Sequence, residues 1–169
     1  MDHEQILVNI AEVMEQYPPI GLAFLMSPPG VLKITEIICC FIGFLCVILA
    51  EDTESSSSAY IHFEVVAMIC CILSLLFVIA YTTTLVKKFD FPWSLMELFF
   101  NVLAATGLLT TTSHIAANTN DVGALVSGTV FGFIACSVYI EEIYFIVKAW
   151  KKRIIFKAVQ EFRELATRK

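Results

Sequence analysis

The side chains most able to do chemistry in this sequence are glutamates set inside apolar stretches. Four long apolar stretches each carry one glutamate or one glutamate pair: Glu36, Glu64, Glu97 and Glu141–Glu142. A carboxylate in hydrocarbon is unfavourable, so such groups usually face a bundle interior, a partner or a path for protons or ions. We therefore take these five residues as candidate intramembrane polar contacts.

Two interpretations of the glutamates stay open. They could form a proton or cation path, or they could pair with polar groups on neighbouring helices. A path also needs polar groups at mid-depth, whereas the middles of the first two stretches are Cys, Phe, Leu and Ile. Structural pairing is therefore favoured, and the available partners are Lys33, Asn101, Tyr139, Tyr144 and Lys148. Glu64 could also make a pH-sensitive contact with His62 or His114.

The composition says what kind of molecule must position these groups. Of 169 residues, 58% are hydrophobic and 16% are charged, and the mean hydropathy is +0.79. Soluble domains carry roughly 25% charged residues. A small soluble core could not bury this excess of apolar side chains, because about a third of the chain's surface in such a domain remains exposed to solvent. The composition argues against a soluble domain, a disordered chain and a nucleic-acid-binding protein, and indicates an integral membrane protein.

The positions of the basic residues divide the chain into spans. Residues 34–86 and 89–147 contain no Lys or Arg, and each stretch has room for two spans of about 20 residues. Backbone groups in hydrocarbon must bond internally, so the spans should be helices. The sequence thus predicts an all-α membrane protein, a bundle of four transmembrane helices. The predicted spans are about 31–50, 60–86, 93–117 and 122–147.

The same residues predict the orientation. The first and third loops carry no Lys or Arg, whereas the middle loop carries Lys87–Lys88 and the C-terminal flank carries four basic residues between Lys148 and Arg153. Basic residues concentrate on the cytoplasmic side, so we expect both termini in the cytoplasm. The predicted divisions are an acidic cytoplasmic arm at 1–29, a transmembrane domain at 30–150 and a basic amphipathic tail at 151–169.

The tail combines charge with helical periodicity. Ile155, Val159, Phe162 and Ala166 fall on one helical face, and eight basic residues against two acidic ones give residues 148–169 a net charge of +6. A basic amphipathic helix after a span is typical of a helix lying on an anionic leaflet. An ordinary basic flank is the alternative. The predicted headgroup contacts are Lys148, Lys151, Lys152, Arg153 and Lys157.

A row of small residues marks the fourth span. Ala124, Gly128, Gly132 and Cys136 recur every four residues, and residues 128–132 match the GxxxG pattern. Small residues let helices approach closely. This packing stripe could face the first span or a partner protein, and with four helices to assemble we favour the first span.

Patterns typical of enzymes and metal sites are missing from the sequence. It contains no HExxH, GxSxG or P-loop motif. All six cysteines lie inside the predicted spans without metal-ligand spacing, so packing is their expected role. We predict no enzyme activity, no catalytic residue, no metal ligand and no cofactor.

Several motifs resemble those of a known family. The first span opens with Gly30-Val31-Leu32-Lys33 followed by Glu36, the second carries Phe63-Glu64, and the third opens with Phe91-Pro92-Trp93 before Glu97-Leu98-Phe99-Phe100. With the span layout, these residues resemble the MARVEL family over about 28–150. The resemblance is strongest to its CKLF-like (CMTM) branch and the neighbouring plasmolipin group.

The resemblance implies a non-enzymatic membrane protein. Members of this family organise membranes, take part in vesicle trafficking, and associate with or stabilise other membrane proteins. The expected partners are membrane lipids, including anionic lipids of the inner leaflet, and other transmembrane proteins, with a homo-oligomer left open and no nucleic acid. The expected location is the plasma membrane, endosomal or Golgi vesicles, or both. The alternative is a small transporter or ion pathway that uses the intramembrane glutamates.

Overall fold

A computed structural model describes residues 19–51, 58–83, 85–88, 92–117 and 123–167 of the chain. The helices are α1 (Leu22–Leu25), α2 (Pro28–Glu51), α3 (Ser58–Thr82), α4 (Leu85–Lys88), α5 (Trp93–Ala116) and α6 (Gly123–Thr167). Within the described ranges, α2, α3, α5 and α6 are long and apolar enough to cross a bilayer. The predicted fold, a four-helix membrane bundle, is confirmed, while the side on which the termini lie stays a prediction.

The start of α2 follows from its sequence. Proline suits the first turn of a helix, where its missing N–H would have no partner, and here Pro28 and Pro29 occupy that turn. The Ser27 hydroxyl accepts a hydrogen bond from the Gly30 amide at 3.4 Å, as an N-cap residue does. The boundary predicted at residues 29 and 30 therefore falls inside the first turn of α2.

The last helix is longer than a span requires. With 45 residues α6 is about 67 Å long, more than twice the roughly 30 Å of hydrocarbon in a bilayer. The predicted tail at 151–169 continues this helix without a break as far as Thr167. Contact of the tail with a leaflet stays a prediction.

The four long helices form a ring in which each packs against two others. Helix α2 lies against α3 and α6, and α5 lies against the same two helices from the opposite side. The mid-depth core is made of small and apolar side chains: Cys40, Val47, Phe63, Ala67, Cys70, Ala104, Leu108 and Ala135. The outward faces remain largely apolar, as lipid contact requires.

The predicted small-residue stripe lies mainly inside the ring. Gly128 packs on α2, where an added methyl group would come within 2.9 Å of the Val47 side chain. Gly132 faces Thr112 of α5 and Phe63 of α3. Cys136 is buried and donates to the Ala105 carbonyl at 3.4 Å, whereas Ala124 is half-buried. These residues bring α6 close to its neighbours in the same chain, which leaves little of this face for a partner protein.

Two glycine-to-alanine substitutions test this packing. In Gly132→Ala the new methyl would sit 2.5 Å from Thr112 Oγ1 and 3.0 Å from Phe63 Cε2, so we expect a loss of about 1–3 kcal/mol of unfolding free energy. Gly107→Ala is the matched control, because its methyl meets only Val66 at 3.4 Å, an ordinary contact. Unfolding in detergent micelles measures both. Equal stability of the two variants would contradict the close approach.

Candidate functional site

The predicted glutamates meet around one buried lysine. Lys33 of α2 is completely buried, and its Nζ donates to Glu142 Oε2 at 2.5 Å, Asn101 Oδ1 at 2.9 Å and Glu36 Oε2 at 3.1 Å. Glu97 Oε1 lies 3.9 Å from the same nitrogen. Asn101 also donates to Glu142 Oε2 at 2.7 Å. One ammonium group therefore joins side chains of α2, α5 and α6.

Helix α3 enters the same network through two hydroxyl groups. Ser74 donates to Glu36 Oε2 at 2.9 Å, and its oxygen lies 2.9 Å from the Tyr139 hydroxyl of α6. Tyr81 donates to Glu97 Oε2 at 2.8 Å. All four long helices thus contribute to one polar group, which we call the Lys33 cluster: Lys33, Glu36, Ser74, Tyr81, Glu97, Asn101, Tyr139 and Glu142.

Aromatic rings surround the lysine. Its Nζ lies 5.5 Å from the ring centres of Phe77 and Phe100 and 5.6 Å from that of Tyr139. A cation within about 6 Å of a ring centre is attracted to the ring face, more strongly when water is absent. The rings therefore separate the ammonium from lipid and also contribute to its binding.

A short segment before α2 covers the cluster at one end. Phe24 of α1 is fully buried and stacks on Tyr81, with ring centres 4.8 Å apart. The Gly21 amide donates to the Tyr81 carbonyl at 3.0 Å, and Gly21 adopts a φ of 81°, which glycine tolerates best. Gly30 leaves room for the segment, because a side chain there would overlap the Phe24 carbonyl. Phe24 thus contacts the tyrosine that binds Glu97.

The cluster holds more acidic than basic side chains. One ammonium faces three carboxylates, and Oε1 of Glu36 and Oε1 of Glu142 are buried without a hydrogen-bond partner among the described residues. Buried ions lose several kcal/mol of hydration each, which close pairing and hydrogen bonds must offset. The arrangement can fix the helices relative to one another, and it retains acceptor capacity for a further cation or proton.

The other predicted contacts lie elsewhere. Of the pair Glu141–Glu142, Glu142 is buried and Glu141 is exposed. Adjacent residues on a helix point about 100° apart, so only one of the two can face the bundle interior. Glu64 is half-buried ten residues before Ser74 on α3, and His62 and His114 are exposed. Of the suggested partners, Lys33, Asn101 and Tyr139 join the cluster. Tyr144 does not, and it lies exposed with its ring 5.5 Å from Lys148 Nζ.

The predicted headgroup residues also differ among themselves. Lys148, Lys151 and Lys152 are exposed, while Arg153 is half-buried beside the bundle. The Lys157 side chain lies outside the described residues. No set of three or more His, Cys, Asp or Glu among the described residues is placed to hold a metal ion.

Sequence reasoning missed three members of the site. Ser74 and Tyr81 looked unremarkable, because a hydroxyl in an apolar helix can bond to its own backbone. Phe24 falls within the predicted acidic arm, residues 1–29. Its signal was the apolar run of residues 22–26 between a glycine and the Ser27-Pro28 helix start.

Removing the ammonium tests the cluster. In Lys33→Met the carboxylates stay buried without their cation, and we expect a loss of about 3–5 kcal/mol of unfolding free energy. Lys88→Met is the control, because Lys88 is exposed, and its stability should match that of the unchanged chain. The measurement is unfolding of the full-length protein in detergent micelles. A Lys33→Met variant as stable as the control would show that the ion pairs do not hold the bundle together.

Comparison with known families agrees with this architecture. The MARVEL family model, described as a membrane-associating domain, matches residues 24–145. Neither the comparison with curated proteins nor that with solved structures finds a match. The matched region begins at Phe24 and includes every residue of the Lys33 cluster. Because it covers more than half of the 169 residues, the chain belongs to the MARVEL family of membrane-associating proteins.

Proposed function

We propose that this protein is a non-enzymatic organiser of the membrane that holds other transmembrane proteins beside its bundle. The observation that carries the proposal is the separation of polar from apolar groups. Side chains of all four helices meet in the Lys33 cluster, with its charged members on α2, α5 and α6, and the outward faces are left largely apolar. The lateral surface of such a bundle is open to lipid and to partner helices.

The finer assignment rests on sequence motifs. The opening around Lys33 and Glu36 and the Phe91-Pro92-Trp93 start of the third span support a place in the CKLF-like (CMTM) and plasmolipin group. We propose the location that this group implies, the plasma membrane or endosomal and Golgi vesicles, with both termini in the cytoplasm. Partners would be other transmembrane proteins, a second copy of the chain included.

Transport through the glutamates is the weaker hypothesis. A path would have to connect the Lys33 cluster with Glu64 towards the other end of the bundle. The described core between them is formed by apolar side chains such as Phe63, Ala67 and Leu108, all of them buried. This layer favours a structural role for the cluster.

The outward face of α5 is the surface that we assign to partner helices. Thr106, Thr110 and Ser113 are exposed there at helical spacing, and their hydroxyls donate to carbonyls of their own helix. Small residues permit close helix approach, and interfaces between membrane helices are enriched in Ser and Thr. Gly128 and Gly132 pack against other helices of the same chain, so they are not available to a partner. The α5 face is therefore the surface on which partner binding should be tested.

The test is proximity labelling in cells, comparing the unchanged chain with Thr106→Leu/Thr110→Leu. We expect labelling of one or more transmembrane proteins, and we expect it to fall severalfold in the variant because leucine keeps a partner backbone away. The control is Ser127→Leu/Ser137→Leu, which makes the same kind of change at exposed positions on α6.

The possible results separate two conclusions. If both variants lose labelling equally, or neither loses it, the α5 face is not the partner surface. If the unchanged chain, correctly inserted, labels no transmembrane protein above background, the organising function itself is wrong.

A further inference from the structure

A narrow cleft opens at the end of the bundle where α2 and α5 begin. Its walls include Pro29 in the first turn of α2, Ser94 in the first turn of α5, and Ala149 and Arg153 on α6. Its volume is about 20 Å³. A buried water needs at least roughly 10–15 Å³, so the cleft has room for one group of that size.

Two carboxylates of the Lys33 cluster line this cleft. Glu142 is 0% exposed and Glu97 is 4% exposed, which makes them the most deeply buried charged residues that line the cleft. Glu142 Oε2 is taken by Lys33 and Asn101, but Glu142 Oε1 is buried and has no hydrogen-bond partner among the described residues. The cleft is therefore lined by a residue that has one buried carboxylate oxygen with unused acceptor capacity.

The charges indicate what the space suits. Lys33 offsets only one of the three carboxylates within 4.0 Å of its nitrogen. Arg153 on the cleft wall adds a second positive charge. A further cation beside Glu97 and Glu142 would offset the third carboxylate, and burial strengthens such an interaction because the local dielectric is low. The chemistry of the cleft is thus that of a small cation receptor.

We propose that the cleft binds the primary ammonium group of a lipid headgroup, as in phosphatidylethanolamine. An –NH₃⁺ group has about the size of one water and carries three N–H donors, which suits Glu142 Oε1 and the Glu97 carboxylate. A choline headgroup carries a bulkier trimethylammonium without N–H donors. The cleft therefore selects ethanolamine over choline.

The position of the cleft favours a lipid as the source of the ammonium. Pro29 and Ser94 lie in the first turns of two spans, where helices meet the headgroup region, and Trp150 lines the same opening. Tryptophan is enriched at that depth. This inference does not depend on the partner-binding function proposed above.

The experiment is native mass spectrometry of the full-length protein, released from detergent micelles that contain equal amounts of phosphatidylethanolamine and phosphatidylcholine. We expect the ethanolamine lipid to be retained about tenfold over the choline lipid, which corresponds to about 1.4 kcal/mol. Glu142→Gln should remove the preference, because an amide lacks the negative charge. Glu141→Gln should keep it, because Glu141 is exposed and outside the cleft.

A second variant covers the case in which Glu142→Gln does not fold. Ala149→Phe fills the cleft from α6 without changing a charge of the cluster, and it should also abolish the preference. Unfolding measurements on the same samples show that each variant is folded. A folded Ala149→Phe variant with unchanged preference overturns the proposal.

Other outcomes also decide against it. Equal retention of the two lipids by the unchanged chain means that the cleft does not select a primary ammonium. If soluble ethanolamine competes as well as the lipid at equal concentration, the source is not a lipid. A third result would be that the protein shows no lipid preference and that acidification stabilises it equally with either lipid. The excess carboxylate is then neutralised by a proton and not by a lipid ammonium. Partner labelling is a separate measurement, so failure here leaves the proposed function standing.

Discussion

A buried ammonium in a membrane bundle must keep its partners, and the rest of this structure depends on that constraint. Lys33 is bound by groups from α5, α6 and its own helix, and the carboxylates that bind it are held in turn by Ser74 and Tyr81 of α3. Sliding one helix by a single turn would move its member about 5.4 Å away and leave charges unpaired in an apolar medium. The cluster therefore fixes the mutual register of all four helices.

The two ends of the bundle are held by different forces. At the Lys33 end, ion pairs, hydrogen bonds and the stacked rings of Phe24 and Tyr81 give directional contacts. Towards the other end the contacts are close packing, with Gly128 against Val47 and Gly132 against Thr112. Membrane helices lack a hydrophobic drive for association, so both kinds of contact are needed. The polar pairs that specify which helices meet therefore lie at one end of the bundle, and the close backbone contacts between helices lie towards the other end.

Much of the architecture could be predicted from sequence because lipid imposes simple rules. Basic-free stretches located the spans, and isolated glutamates marked the interior. What could not be predicted depends on rotation and register between helices. The sequence could not tell which of Glu141 and Glu142 points inward, since both lie at the same depth. It also did not show that Ser74 and Tyr81 would bind carboxylates rather than their own backbone. Phe24 was missed because its burial needs the end of α3, which is distant in sequence.

The continuity of α6 has a mechanical consequence. Residues 154–167 extend beyond the level of Pro29 and Ser94, where α2 and α5 begin, and at 1.5 Å per residue they add about 20 Å of helix. A continuous helix of that length, anchored inside the bundle through Glu142, would amplify small rotations. A tilt of about 10° within the bundle displaces its far end by roughly 3–4 Å. Any such tilt would thereby appear as a displacement at the far end of α6, because the helix is continuous.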